Sequence, residues 1–254
     1  EGTGGRFTDA QAGTPEAALA GHAAGFPPDE IPAHVRSYTA DLFMDTVGCI
    51  FGGSTADGVA ETLTTLERWG GAPQATVVPQ RIRTSAPNAA FANAVMAHAR
   101  DYDDTHDQAV LHGCVTAVPA LLAACRLRNA PTPGREFLAA LAVGLDISNR
   151  LSLSLIPYLH VGWLPTTLLG AFGATCAVGR LFGLDAAAMR NAMGFAYAQV
   201  GGNRQALIDG ALAKRMQPAF AAVIAIQSAA FAQTGLTAGE GFLSGDYGLP
   251  ALYT

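Results

Sequence analysis

Charge is so scarce in this chain that most of its elements must bury nearly all of their side chains. Asp, Glu, Lys and Arg make up 14% of the 254 residues, against 50% hydrophobic. Such a chain can build a substantial core, in one large domain or two small ones, and disorder is excluded for most of its length. The net charge of -5 and the singly scattered arginines leave no basic stripe, which argues against nucleic acid as a main partner.

Apolar residues recur at helical spacing, on faces rich in alanine, over residues 14–25, 30–52, 57–70, 87–100, 115–129, 134–155, 164–182, 185–199 and 210–234. The expected fold is therefore all-α. Thr14-Pro15-Glu16 and Pro27-Pro28-Asp29 supply start signals, and Gly52-Gly53, Gly70-Gly71 and Gly183 supply stops. Only residues 74–83 resemble strand, enough for a minor hairpin. Ala and Gly inside helices, as in GAFGATCAVG, remove bulk and let helices approach closely. With no repeat, tail or linker, residues 14–254 read as one compact multi-helix domain behind a flexible segment, 1–13.

The apolar runs at 114–125, 164–183 and 218–232 are interrupted before reaching about 20 residues, so no membrane partner is expected. Cys49, Cys114, Cys125 and Cys176 lie in apolar surroundings without CxxC spacing, which reads as reduced, mostly buried thiols and a cytoplasmic protein.

Against this background AHARDYDDTHDQAVLHG, residues 97–113, gathers four aspartates, three histidines and a threonine between two apolar helices. Such a loop points into a crevice at a helix N-terminus, where free N–H groups favour an anion; Asp can act there as base, and His as acid or electrophile. The plainer alternative is that Asp101 and Asp104 cap helices while His98 and His106 are satisfied packing groups. A metal site of the HD-phosphohydrolase kind is weaker, because His22, His34 and His160 each lack an Asp neighbour. An EF-hand fails as well: His106 stands where a turn glycine is required and His112 where the bidentate Glu belongs.

The chain's sole lysine, Lys214, stands with Arg215 and Gln217 at the start of the last long helix, with Arg204 upstream. A lysine there suits a substrate carboxylate, or is a snorkelling cation at a helix end. His160 to Gly173, HVGWLPTTLLGAFG, begins another helix at Leu164-Pro165-Thr166.

In order, AHARDYDDTHD, HGCVTAVPALLAA, GWLPTTLLGAFGATCAVGRLFGLD and ALAKRMQPAFAA resemble the helical domain of the MmgE/PrpD family over most of residues 35–245. The resemblance implies a dimeric enzyme without metal or other cofactor, acting on a small carboxylic acid. Its site lies between an all-helical domain and an α+β lid. Thr254 falls about where the lid would begin, so the expectation is the helical domain with the lid missing. Asp101, Thr105, His112 and Lys214 match the family's catalytic positions. Arg215, Gln217, Trp163, His160 and Arg204 are expected to bind substrate. Two positions depart from the family pattern: Leu164 and Gln217 stand where it carries histidine.

The leading expectation is a lyase or isomerase of dehydratase, decarboxylase or epimerase type, foremost a carbon–oxygen lyase like the 2-methylcitrate dehydratases, removing a proton α to a carboxylate or carbonyl. Asp101 or His112 is the base, and Lys214, with Arg215 as a further candidate, and helix N-termini stabilise the developing charge. For an acidic loop to face an acidic ligand, Asp103 and Asp104 must turn away as caps. The alternatives are a carboxylate-binding relative that has lost catalysis along with two imidazoles, the metal-dependent phosphohydrolase, and a helical interaction protein.

Overall fold

The computed structural model describes residues 13–128 and 130–254; of the segment expected to be flexible, only Gly13 falls within them. The first long-range choices are made by α1 (Pro15–Gly25) and α2 (Ala33–Gly53), followed by α3 (Val59–Trp69). Thr14 caps α1 by accepting from the Ala17 N–H at 3.3 Å, with Pro15 at the first helical position. The predicted hairpin is present as β1 (Ala75–Val77) paired antiparallel with β2 (Ile82–Thr84), Val77 opposite Ile82.

The core is built from α4 (Ala86–His98), α5 (Cys114–Ala124), α6 (Gly134–Leu155), α8 (Gly170–Leu181), α9 (Ala186–Tyr197) and α11 (Ala213–Gln233), with α8 and α11 at its centre. Every residue of α8 except Arg180 is buried. Arg180 reaches back to the carbonyls of Ala23 at 2.6 Å and Phe26 at 2.8 Å, the acceptors left open where α1 ends. The small residues act as their pattern requires. Gly144 of α6 and Gly173 of α8 face each other so closely that a Cβ on Gly144 would stand 2.6 Å from the Gly173 carbonyl oxygen. Asn93, inside α4, bonds Thr76 O and Val78 N–H, both at 3.0 Å, and so fastens the hairpin to the core.

Three expectations change in detail. The stretch expected as one helix over 164–182 is two: α7 (Pro165–Leu168) and α8, broken at Leu169. Thr116 of α5 packs against Gly170 at the break and donates to its carbonyl at 3.4 Å, so the cause is a tertiary contact. The helix expected from 210 starts at Ala213, after the short α10 (Gln205–Ile208), and α12 (Leu249–Tyr253) follows it. Finally, α6 alone among the described helices is long and apolar enough to cross a bilayer; 56% of that apolar window is buried against its neighbours.

Candidate active site

The acidic loop leaves α4 at His98, turns through Asp101 in the left-handed region (φ 58°), and returns to α5 at Gly113. Asp is among the few residues that take that conformation at small cost. Adjacent Asp103 and Asp104 then go opposite ways. Asp104 accepts from the N–H groups of Gly113 at 3.2 Å and Cys114 at 3.1 Å, capping α5 as the plain alternative held. Asp103 does not turn away. Its side chain is fully buried between two histidines, with Nδ1 of His98 at 2.9 Å and Nδ1 of His112 at 3.1 Å from Oδ2. A buried carboxylate needs donors, and among the described residues these rings supply them.

From there a polar chain runs outward. Nε2 of His98 lies 3.7 Å from Oδ1 of Asp101, and the same oxygen accepts from Lys214 Nζ at 2.5 Å. The lone lysine thus meets the acidic loop across 113 positions of sequence. Thr105 Oγ1 is 3.4 Å from His112 Nδ1. The His112 backbone N–H donates to Thr166 Oγ1 of α7 at 3.0 Å. Asp101, Thr105, His112 and Lys214, expected together, are together.

The remaining expected residues are placed differently. Arg215 turns to the α2–α3 connection and donates to the Asp57 carbonyl at 2.6 Å, so its guanidinium is committed to backbone and not to the cluster. Gln217 is likewise committed: its oxygen accepts from Asn203 N–H at 2.8 Å and its amide donates to Asn203 O at 2.9 Å. His160 Nδ1 accepts from the Gly162 N–H, and His160 and Trp163 line a separate cavity of about 460 Å³ with Asn203 and Tyr253. His160 therefore does not replace a missing imidazole in the cluster. Arg204 contributes its backbone N–H to Gly162 O. A larger cavity of about 590 Å³, lined by Thr167, Gln217 and Phe220 among others, shares α7 and α11 with the cluster.

Electrostatics separate the three carboxylates. Burial pushes Asp103 up, yet hydrogen bonds and charge from His112 and His98 outweigh it and hold Asp103 well below the usual carboxylate range. Burial also works against Asp101, where Lys214, helped by His98 and His112, brings the carboxyl below its ordinary value. For Asp104 burial wins, with the charge of Asp103 adding to it, and its value rises. His112 is opposed by burial but raised overall by Asp103, Asp101 and Asp104.

His98, Asp101, Asp103 and His112 offer one donor atom each within 4.8 Å of one another, a set of the kind divalent cations take. Asp103 already accepts from both imidazoles, so a cation there would compete with those donors for its oxygens. Sequence reasoning passed over His98 and Asp103 as functional residues. The available signal was a histidine in the last turn of an alanine-rich, buried helix, which must find a polar partner in the loop that follows.

Residues 17–254 match the MmgE/PrpD N-terminal domain. The cis-aconitate decarboxylase of Aspergillus terreus is 26% identical over 225 residues, 87% of this chain and 46% of that protein. The Homo sapiens cis-aconitate decarboxylase is 28% identical over 171 residues, 63% of this chain and 34% of that protein. The chain spans less than half the length of these relatives. With the family model covering nearly all of its helices, the chain belongs to the MmgE/PrpD family, as that family's N-terminal helical domain.

Proposed function

We propose that the chain supplies the proton-transfer face of a cofactor-independent lyase or isomerase acting on a small carboxylic acid. The observation that carries the reading is the pairing of the sole lysine with Asp101 beside His112. In a charge-poor chain this puts a cation, a proton acceptor and a hydroxyl on one wall. A substrate carboxylate or carbonyl meets the Lys214 ammonium, and His112 or Asp101 takes the proton α to it. The freed electron pair moves into that group as an enolate, whose charge Lys214 stabilises. Expulsion of a β-hydroxyl then completes a dehydration, and return of the proton to the opposite face completes an epimerisation. In a decarboxylation the same cation would hold the charge left by departing carbon dioxide until the carbon is protonated.

Because the relatives are named for cis-aconitate, that acid is the first substrate to test. Lys214→Ala should lower kcat/KM about 10²- to 10³-fold, measured as carbon dioxide release and as deuterium uptake from solvent. Unchanged kinetics would remove Lys214 from the site. A second reading is favoured by one observation: Leu164 and Gln217 stand at the two positions where the family pattern carries histidine, and neither side chain titrates. A binding-only relative would gain thermal stability from di- or tricarboxylates yet exchange no substrate proton with solvent.

A further inference from the structure

Asp103 is ionised and buried, and a carboxylate only accepts hydrogen bonds. Each nitrogen within its reach must therefore bring the hydrogen. For His98 that nitrogen is Nδ1, 2.9 Å from Oδ2 and 3.0 Å from Oδ1; for His112 it is also Nδ1, at 3.1 Å. A neutral imidazole with its hydrogen on Nδ1 carries its lone pair on Nε2, at the opposite edge of the ring. In His112 that edge has no hydrogen-bond partner among the described residues, and the side chain is 24% exposed. The ring is held from three further directions. Its backbone N–H is bonded to Thr166, its plane meets His98 edge-on at a centroid separation of 5.0 Å, and the charges of Asp101 and Asp104 act on it.

Thr105 follows from the same constraint. Its Oγ1 stands 3.4 Å from His112 Nδ1, and since that nitrogen brings the hydrogen, Thr105 can only accept there. Its own O–H is left to donate elsewhere.

We propose that Asp103, clasped between His98 and His112, is a positioning residue: it draws the Nδ1–H of both rings to itself, presents Nε2 of His112 as the site's proton acceptor, and leaves the Thr105 hydroxyl as a donor. His98 serves as the second anchor that keeps the carboxylate from swinging away from His112. The proposal rests on the reading of His112 as the proton-transfer group.

An asparagine at this place makes a sharp comparison. Its amide has one acceptor and one donor, so only one ring can keep Nδ1–H; the other must offer a lone pair to the NH₂ and move its hydrogen to Nε2. Long-range proton–nitrogen correlation spectra of the ¹⁵N-labelled protein report the tautomer of each histidine. His98→Asn and His112→Asn assign the signals. At a pH where His112 is neutral, the wild-type protein should show it with hydrogen on Nδ1 and a bare Nε2. In Asp103→Asn one of the two rings should change to the Nε2–H form. A wild-type His112 in the Nε2–H form overturns the proposal, as does an Asp103→Asn protein in which both rings are unchanged. The wild-type spectrum decides the matter even if the variant does not fold.

Turnover of cis-aconitate separates the proposal from the reading beneath it. Asp103→Asn should lower kcat about 10²- to 10⁴-fold with KM little changed. If His112→Asn leaves turnover intact while the wild-type tautomer is as stated, His112 is not the proton-transfer group, yet Asp103 still sets its tautomer.

Discussion

Replacing Gly144 by alanine tests the packing and the site together. The new Cβ would stand 2.6 Å from the Gly173 carbonyl oxygen and 2.8 Å from the Ala177 methyl, where ordinary contact begins near 3.4 Å. The obstacle is backbone, which no rotamer change can relieve, so α6 and α8 must part by about 0.8 Å. Overpacking of this kind costs about 1–3 kcal/mol, and with backbone on the far side the upper end applies. Alanine returns up to about 1 kcal/mol in helix propensity. The net loss is about 2 kcal/mol, which at a urea m-value near 3 kcal/mol/M lowers the unfolding midpoint by about 0.7 M. The shift also reaches the site. Gly173 lies on α8, just beyond α7, whose Thr166 holds the His112 backbone, and a misplacement approaching 1 Å there costs about 10²-fold in rate. Urea unfolding followed by circular dichroism supplies the first number and turnover the second. A midpoint equal to wild type or higher would mean the crossing has slack, and the close-approach argument would fail.

Two further outcomes are expected. Asp103 is depressed below its ordinary value of 3.8, so its ionised form stabilises the fold above that pH, and the contribution drains away as acid carries the pH down through the folded value. His112 has the opposite sign: raised above 6.5, its contribution is complete below that pH and fades as the pH climbs past the folded value. Urea midpoints across pH should therefore show a shallower acid-side slope in Asp103→Asn, with Asp101 and Glu16 still contributing, and a shallower alkaline-side slope in His112→Asn; parallel profiles for variant and wild type would refute both signs. Elsewhere, the Glu16 carboxyl is opposed by burial but lowered overall by the groups it accepts from, Leu243 N–H at 2.9 Å, Ser244 N–H at 2.6 Å and the Ser244 hydroxyl at 2.9 Å. Glu16→Gln removes the charge from these bonds, at a cost of about 2 kcal/mol, and should speed hydrogen exchange at the Leu243 and Ser244 amides about 30-fold; unchanged exchange would show the C-terminal segment to be held by something else.

The helices were legible because long apolar stretches punctuated by Pro and Gly have few other ways to satisfy their backbone. Residues 134–155, expected as one helix, form α6 over Gly134–Leu155. The break at Leu169 was not legible, since its cause is Thr116, more than fifty positions away. At the site, rarity was the useful signal: one lysine and one acidic loop in a charge-poor chain meet as Lys214 and Asp101. Rarity says nothing about direction. Asp103 and Asp104 are adjacent and identical in kind, and which of them turns inward depends on the two imidazoles that converge from α4 and from the end of the loop. The direction of Arg215 was hidden for a similar reason, because the Asp57 carbonyl it bonds belongs to another part of the chain.

Leu164 and Gln217, expected from the sequence as two departures from the family pattern, meet at one loop. The Leu164 N–H donates to Gly202 O at 3.3 Å, while Gln217 grips the N–H and C=O of the next residue, Asn203. An amide carries a donor and an acceptor side by side and can satisfy both groups of one residue. An imidazole carries its two nitrogens on opposite edges and cannot. Gln217 is also close against Gly202, where an added Cβ would lie 3.1 Å from its oxygen and where φ is +106°. Glycine at that position and glutamine at 217 thus form one device that shapes the wall of the 590 Å³ cavity. The exchange of histidine for glutamine turns a group able to carry a proton into one that holds backbone. His112, by contrast, keeps an imidazole edge with no hydrogen-bond partner among the described residues.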